Sequence, residues 1–233
     1  VVALLAGEPL LHPQGLDISS DDATLYVADI EADQLFTVAV SDGSAQPLAG
    51  TEGTKPRGVE VIGEAGQEIL YFSGVDPADG RPAIMKIAAT GGELTVIAKG
   101  APLVDPVGVT VAGDGTVYVV DQAAGGGEGL GSLFKISTGT VEPMATNLHV
   151  GQFPGLALTL DEAALLVSTL ASGRDSAQVL VIVLASGDQV IVNKVIAANQ
   201  GAGGLHRAQG GNTFAWADAP NSGSGRVYRV RLP

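Results

Sequence analysis

Between Asp105 and Asp121 the chain reads DPVGVTVAGDGTVYVVD, and LFKI follows from Leu133. Two runs of alternating apolar residues flank Gly113-Asp114-Gly115, a combination that closes a tight antiparallel hairpin. Working outward, the same three-part unit recurs along the chain. Its opening part is GVTV from Gly108, matched by GLDI from Gly15, GVEV from Gly58, GLAL from Gly155 and GLHR from Gly204. Its second is VYVVD, matched by LYVAD ending at Asp29, LYFSG at Gly74, LLVST at Thr169 and FAWAD at Asp218. Its third is LFKI, matched by LFTV from Leu35, IMKI from Ile84, VLVI from Val179 and VYRV from Val227, with starts 49, 49, 46 and 48 residues apart.

A fourth strand follows in four units, as PLAG ending at Gly50, VIAKG at Gly100, EPMATN at Asn147 and QVIVNK at Lys194. The fifth unit reaches Pro233 without one, while ALLAG (Ala3 to Gly7) resembles PLAG. Gly7, Gly50, Gly100 and Asn147 each precede a repeat glycine by eight residues. Four antiparallel strands every 46 to 49 residues predict an all-β fold, a five-bladed β-propeller. The blades fall at about 8–50, 51–100, 101–147, 148–194 and 195–233 plus 1–7, in one domain 1–233. The N-terminal strand is expected to close the ring by pairing with the last blade, which protects an edge. A six-bladed ring, or a fragment of a larger propeller, is the alternative. The one helical candidate is DEAAL (Asp161–Leu165), a single turn.

Composition narrows the chemistry. Glycine supplies 33 of 233 residues, about twice its usual share. Twelve basic against 25 acidic residues leave a net charge of −13, which excludes a nucleic-acid partner met through Lys and Arg. Without cysteine there is no disulfide, thiolate or Cys-based metal site. The mean hydropathy is +0.30, yet the longest apolar run, Val179 to Ala185, is far too short to span a membrane. VVALLAG is too short and too uncharged to read as a signal peptide.

The units HPQGLDIS…TLYVAD…QLFTV, KPRGVEV…ILYFSG…AIMKI and DPVGVTVAGDGTVYVVD…SLFKI resemble the NHL repeat and the senescence-marker-protein/gluconolactonase propellers. In the gluconolactonase-like enzymes the resemblance implies a calcium ion at the mouth of the central channel. Its Glu, Asn and Asp ligands include residues just before the glycine that opens an innermost strand. The corresponding positions here are Gln14, Arg57, Val107, Pro154 and Gly203, none a carboxylate and one a cation. The chain therefore departs from the family's usual metal site.

Ligands of propellers gather where the blade connections meet the loops between second and third strands. Connections of eight residues bring His12, Gln14, Lys55, Arg57, Asp105, His149 and Gln152 to that face. Asp29, Asp121 and Asp218, at second-strand ends, read first as caps of their turns. Two residues after each repeat glycine stand Asp17, Glu60, Thr110, Ala157 and His206, which alternation puts on one face. If ring closure joins blades five, one and two, then Asp17, Glu60 and His206 could hold a divalent cation such as calcium or act as an acid–base set. The competing reading is a wet channel lining of hydrogen-bonded polar groups. GGGEGLGS (Gly125–Ser132) lacks the lysine of a phosphate loop, NSGSGR lacks a nucleophile elbow's setting, and Trp216 reads as core. Arg226, Arg229 and Arg231 read as a solvated stripe.

The leading functional expectation is a non-enzymatic platform that binds a protein, glycan or small ligand through the loop-face residues His12, Gln14, Arg57, Thr110, His149 and Gln152. The alternative is a metal-dependent lactonase- or esterase-like hydrolase worked by Asp17, Glu60 and His206 at the channel. A third reading is a structural unit of a larger chain. The acidic surface and glycine-rich loops suit a periplasmic or secreted bacterial protein, and a closed propeller can stand alone as a monomer.

Overall fold

The computed structural model describes residues 3–172, 176–195, 202–218 and 226–232. Blade one holds strands β1 (Pro13–Ile18), β2 (Thr24–Asp29), β3 (Gln34–Ala39) and β4 (Ala45–Pro47). Blade two holds β5 (Val59–Glu64), β6 (Gln67–Val75), β7 (Pro82–Ala88) and β8 (Thr95–Lys99). Blade three holds β9 (Pro106–Val111), β10 (Val117–Asp121), β11 (Leu130–Ser137) and β12 (Thr140–His149). Blade four holds β13 (Leu156–Leu158), β14 (Ala164–Leu170), β15 (Ala177–Val183) and β16 (Gln189–Val195). Blade five holds β17 (Ala202–Arg207), β18 (Thr213–Asp218) and β19 (Arg226–Arg231). Each sheet is antiparallel and ordered as in the chain, and the five are the blades of a β-propeller. Among the described residues there is no helix, and so none long and apolar enough to cross a membrane.

Two compact units divide the chain, Val1–Pro106 with the first two blades and Val107–Pro233 with the other three. In the first, Tyr26, Ala28 and Leu35 of blade one pack against Val59, Leu70, Phe72 and Met85 of blade two. In the second, Leu156, Leu158, Leu165 and Val167 meet Tyr118, Val120 and Leu133, while Ala157 and Leu166 meet Leu205, Phe214 and Trp216. Strand alternation thus gives each blade two apolar faces, which accounts for the high apolar content and sparse charge.

The repeat glycines have two separate physical causes. Gly7, Gly50 and Gly100 sit at φ of 82°, 90° and 72°, and Asn147 at 57°, the left-handed region that glycine and asparagine tolerate best. The opening glycines instead let neighbouring innermost strands touch backbone to backbone. A Cβ at Gly15 would lie 2.4 Å from the Arg57 carbonyl, at Gly108 2.7 Å from that of Pro154, and at Gly155 2.0 Å from the Leu205 nitrogen.

A second periodic device joins the first hairpins of consecutive blades. The Ser20 N–H donates to Glu68 Oε1 (2.6 Å), the Gly113 N–H to Glu162 Oε1 (2.7 Å) and the Leu160 N–H to Asn212 Oδ1 (2.7 Å). Each acceptor sits in the first hairpin of the following blade, one repeat along the chain.

Three expectations are revised. Ala3–Gly7 forms no strand, and its pairing with the last blade is not among the described strand pairs; blade five has three described strands. Leu5 and Leu10 instead pack on Val27, Phe36 and Val38, so side-chain burial on blade one, rather than a ladder, holds this segment. DEAAL is a hairpin turn into β14, with the Ala163 N–H bonded to Asp161 Oδ1 (3.2 Å) and Glu162 at φ 55°. Finally, β12 runs past Asn147 to His149, which pairs with Leu130, so His149 ends a strand rather than lying in a connection.

Candidate functional site

In the first unit, Asp29 is the keystone of the loop face. Its fully buried carboxylate accepts the N–H groups of Leu11 (2.7 Å), His12 (2.9 and 3.0 Å), Glu31 (3.2 Å) and Ala32 (3.0 Å). It therefore caps its own turn and ties down the strand that enters blade one, as the simpler sequence reading holds. His12 is exposed, with Nδ1 3.2 Å from Glu31 Oε1. Gln14 is the extra residue of a β-bulge between Pro13 and Gly15, and its buried Oε1 has no partner among the described residues. Arg57 pairs through Nε with Asp105 Oδ1 at 3.3 Å.

In the second unit, the loop between β10 and β11 and the connection from β12 to β13 enclose a cavity of about 410 Å³. Gln122, Glu128 and Gln152 supply its polar side chains, Ala123, Val150 and Leu170 its apolar ones, and Gly127, Gly129 and Gly151 line it with backbone. Asp121, fully buried, shapes that loop by accepting the Ala123 and Ala124 N–H groups, both at 3.0 Å. His149 and Thr169 immediately precede the lining residues Val150 and Leu170. His149 Nδ1 and Thr169 Oγ1 are both buried without a hydrogen-bond partner among the described residues. Thr110 is buried within β9. The Asp218 side chain lies outside the described residues.

The residues two beyond the repeat glycines lie against adjoining blades. Asp17 pairs across the sheet with Tyr26, which packs on blade two, and its Oδ2 accepts the Val61 N–H of β5 at 2.8 Å. Oδ1 accepts the Ile18 N–H at 2.8 Å, so both oxygens hold backbone. Glu60 is half-buried on β5 and pairs across the sheet with Tyr71; the bond to Val61 brings Asp17 to the strand that carries it. In the second unit Ala157 is buried against Leu205, and His206 is exposed on β17. Among the described residues no three His, Asp or Glu side chains are grouped as a metal ion requires. The positions that the calcium of gluconolactonase-like enzymes would use do not fit one either. Calcium takes six to eight oxygens, and here only Gln14 offers a side-chain oxygen, beside an ion-paired Arg57, buried Val107 and Pro154, and Gly203.

The loop between β6 and β7 carries a charge network. Lys99 Nζ reaches Asp76 Oδ2 (2.5 Å) and Asp79 Oδ2 (3.1 Å), and Arg81 Nη2 also holds Asp79 Oδ2 (2.8 Å). The Arg81 hydrogen bond above all pushes the Asp79 carboxyl down to about 2. A carboxylate lowered in the folded state stabilises it above the unfolded value near 3.8 and loses that contribution as pH falls toward 2. Melting followed from pH 7 to pH 2 should show Asp79→Asn indistinguishable in slope from the parent above pH 5, and shallower below pH 4. Identical slopes below pH 4 would contradict the assignment.

No family model matches the sequence, and no curated protein matches it. Solved structures do match in fold. A chain of a nidogen/laminin complex shares 15% identity over 88% of this chain and 72% of its own, with a TM-score of 0.65. A candidate gluconolactonase shares 17% over 91% and 73%, also at 0.65. Regucalcin of Agrobacterium tumefaciens, described as a calcium-binding protein, shares 13% over 97% and 76%, again at 0.65. The chain thus has the propeller fold of these structures, with departures at the positions where the resemblance of its sequence implies a metal.

Proposed function

We propose that the protein is a non-enzymatic binding platform that holds an uncharged, hydroxyl-rich ligand such as a glycan on its loop face. The cavity of about 410 Å³ in the second unit carries this reading. Side-chain amides at Gln122 and Gln152 donate and accept at once, and Glu128 offers a carboxylate to paired hydroxyls. Val150 and Leu170 supply an apolar patch for the C–H face of a sugar ring. None of the described lining residues is a cation, so among them nothing neutralises a phosphate or sulfate.

Thermal unfolding against neutral mono- and disaccharides tests the proposal. A sugar present at about a hundred times its dissociation constant stabilises by about 2.7 kcal/mol, a rise of several degrees for a chain of this size. Gln152→Ala should weaken that sugar about tenfold with little change in the unliganded midpoint. No sugar response, together with lactone or aryl-ester turnover that needs calcium and Glu60, would replace this reading with the hydrolase.

A further inference from the structure

We propose a second binding site, in the first unit and independent of the saccharide cavity, for a small monocarboxylate bearing a short branched apolar group. A cavity of about 170 Å³ opens there beside Lys55 and Arg57, walled by Ile30, Val75, Pro82 and Val104. Liquid water takes about 30 Å³ per molecule, so the space suits a carboxylate with three or four further carbons.

Three observations give the site its sign. Lys86 pairs with Glu64, and Lys99 with Asp76 and Asp79, whereas the Lys55 ammonium has no anionic partner among the described residues. Among the described residues Arg57, whose side chain is only 18% exposed, meets one carboxylate, Asp105, through Nε. That leaves its terminal amino groups for a second carboxylate, in the side-by-side geometry guanidinium favours. Two cations against one carboxylate make a local charge of +1 on a chain of net −13. Asp105 meanwhile repels dianions, which sets a monocarboxylate apart from a phosphate monoester.

The backbone holds Lys55 in place at a cost. Lys55 has φ 45°, a conformation that a long side chain adopts only where its surroundings impose it. The Val75 N–H bonds the Thr54 carbonyl at 2.7 Å. Gly74 makes the approach possible, since a Cβ there would lie 2.3 Å from the Thr54 carbonyl oxygen and 3.1 Å from that of Lys55. The loop is pinned so that the lysine stands at the rim, where Val104 presents a side chain 54% exposed.

The same chemistry has two sources, a free short-chain acid or the C-terminal carboxylate of a peptide ending in valine or leucine. Titration calorimetry of the full chain with 3-methylbutyrate, its neutral amide, acetylated Gly-Gly-Val and that peptide's C-terminal amide separates them. At least one carboxylate should bind about tenfold or more tightly than its amide, and weaken as salt is raised. Binding of 3-methylbutyrate alone assigns the free acid; binding of the peptide, the chain terminus. Lys55→Gln should lose most of the affinity with an unchanged unfolding midpoint, because that side chain forms no ion pair among the described residues. Equal binding of acid and amide, no binding of either carboxylate, or full affinity in Lys55→Gln overturns the proposal. The saccharide response should be unaffected in every case.

Discussion

Asp29→Ala should destabilise the protein by about 3 to 5 kcal/mol, a fall in melting temperature on the order of 10 °C. The carboxylate is fully buried and receives four backbone N–H groups, from Leu11, His12, Glu31 and Ala32. Hydrogen bonds to a charged acceptor contribute roughly 1.5 to 3 kcal/mol each. They do not add in full here, because Leu11, His12 and Glu31 are exposed and water can reach part of the vacated space. Asp29→Asn should fall between parent and alanine, since its amide keeps one acceptor and turns two donors toward other donors. Asp121→Ala, which strands the N–H groups of Ala123 and Ala124, should lose about 2 kcal/mol. Urea unfolding of the three variants checks the order. A loss below about 1 kcal/mol in Asp29→Ala would mean that the entry strand is held by something other than this carboxylate.

Gly155→Ala is the second large effect, about 3 kcal/mol or more from a single methyl group. The new Cβ would stand 2.0 Å from the Leu205 nitrogen, 2.7 Å from the Gly204 carbonyl carbon and 2.8 Å from the Leu205 Cβ. Only separation of the two innermost strands relieves this. That movement also breaks the Ser168 bridge, whose Oγ accepts the Gly155 N–H (2.7 Å) and donates to the Gly203 carbonyl (2.8 Å). It loosens Leu205, Phe214 and Trp216 in the same cluster. Gly63→Ala is the matched control, since a Cβ there meets nothing within 4 Å and the backbone is not left-handed. It should be neutral or slightly stabilising. Similar midpoints for the two variants would show that glycine at 155 answers to chain flexibility rather than to close approach.

The blades were legible because the residues that reveal them answer to local geometry. Gly50, Gly100 and Asn147 mark a left-handed backbone, and Gly15, Gly108 and Gly155 mark contact between strands. Both constraints admit few residue types, so they survive as a visible period. The turn at Asp29 was readable for the same reason, since an aspartate caps its own loop within three residues. What lies across a blade face was not. Alternation correctly sets Asp17 apart from Leu16, but one partner of Asp17 is a backbone N–H 44 residues away, on a strand whose placement no local pattern states. The same non-locality hid the Glu68, Glu162 and Asn212 bonds. The large cavity went unread because GGGEGLGS looks like slack chain; its walls appear only once Asp121 folds the loop back beside Val150 and Gln152. The sequence places Lys55 in a connection, while its lack of an anionic partner among the described residues and its φ of 45° follow from the fold around it.

The chain of bonds from one blade's first hairpin to the next governs where the protein tolerates extra length. Ser20, Gly113 and Leu160 each depend on a turn one repeat further on, so an insertion in any of these hairpins displaces a donor on one blade or an acceptor on its neighbour. Glu162 and Leu160 belong to one turn, and lengthening it would cut both of its ties at once. The hairpin between β11 and β12 is free of such ties among the described bonds. Thr138 and Gly139, both exposed and at φ 49° and 81°, form a two-residue turn. A peptide tag or fused domain entering at that turn leaves the blades in register, whereas the same graft at 160–162 would unzip two of them.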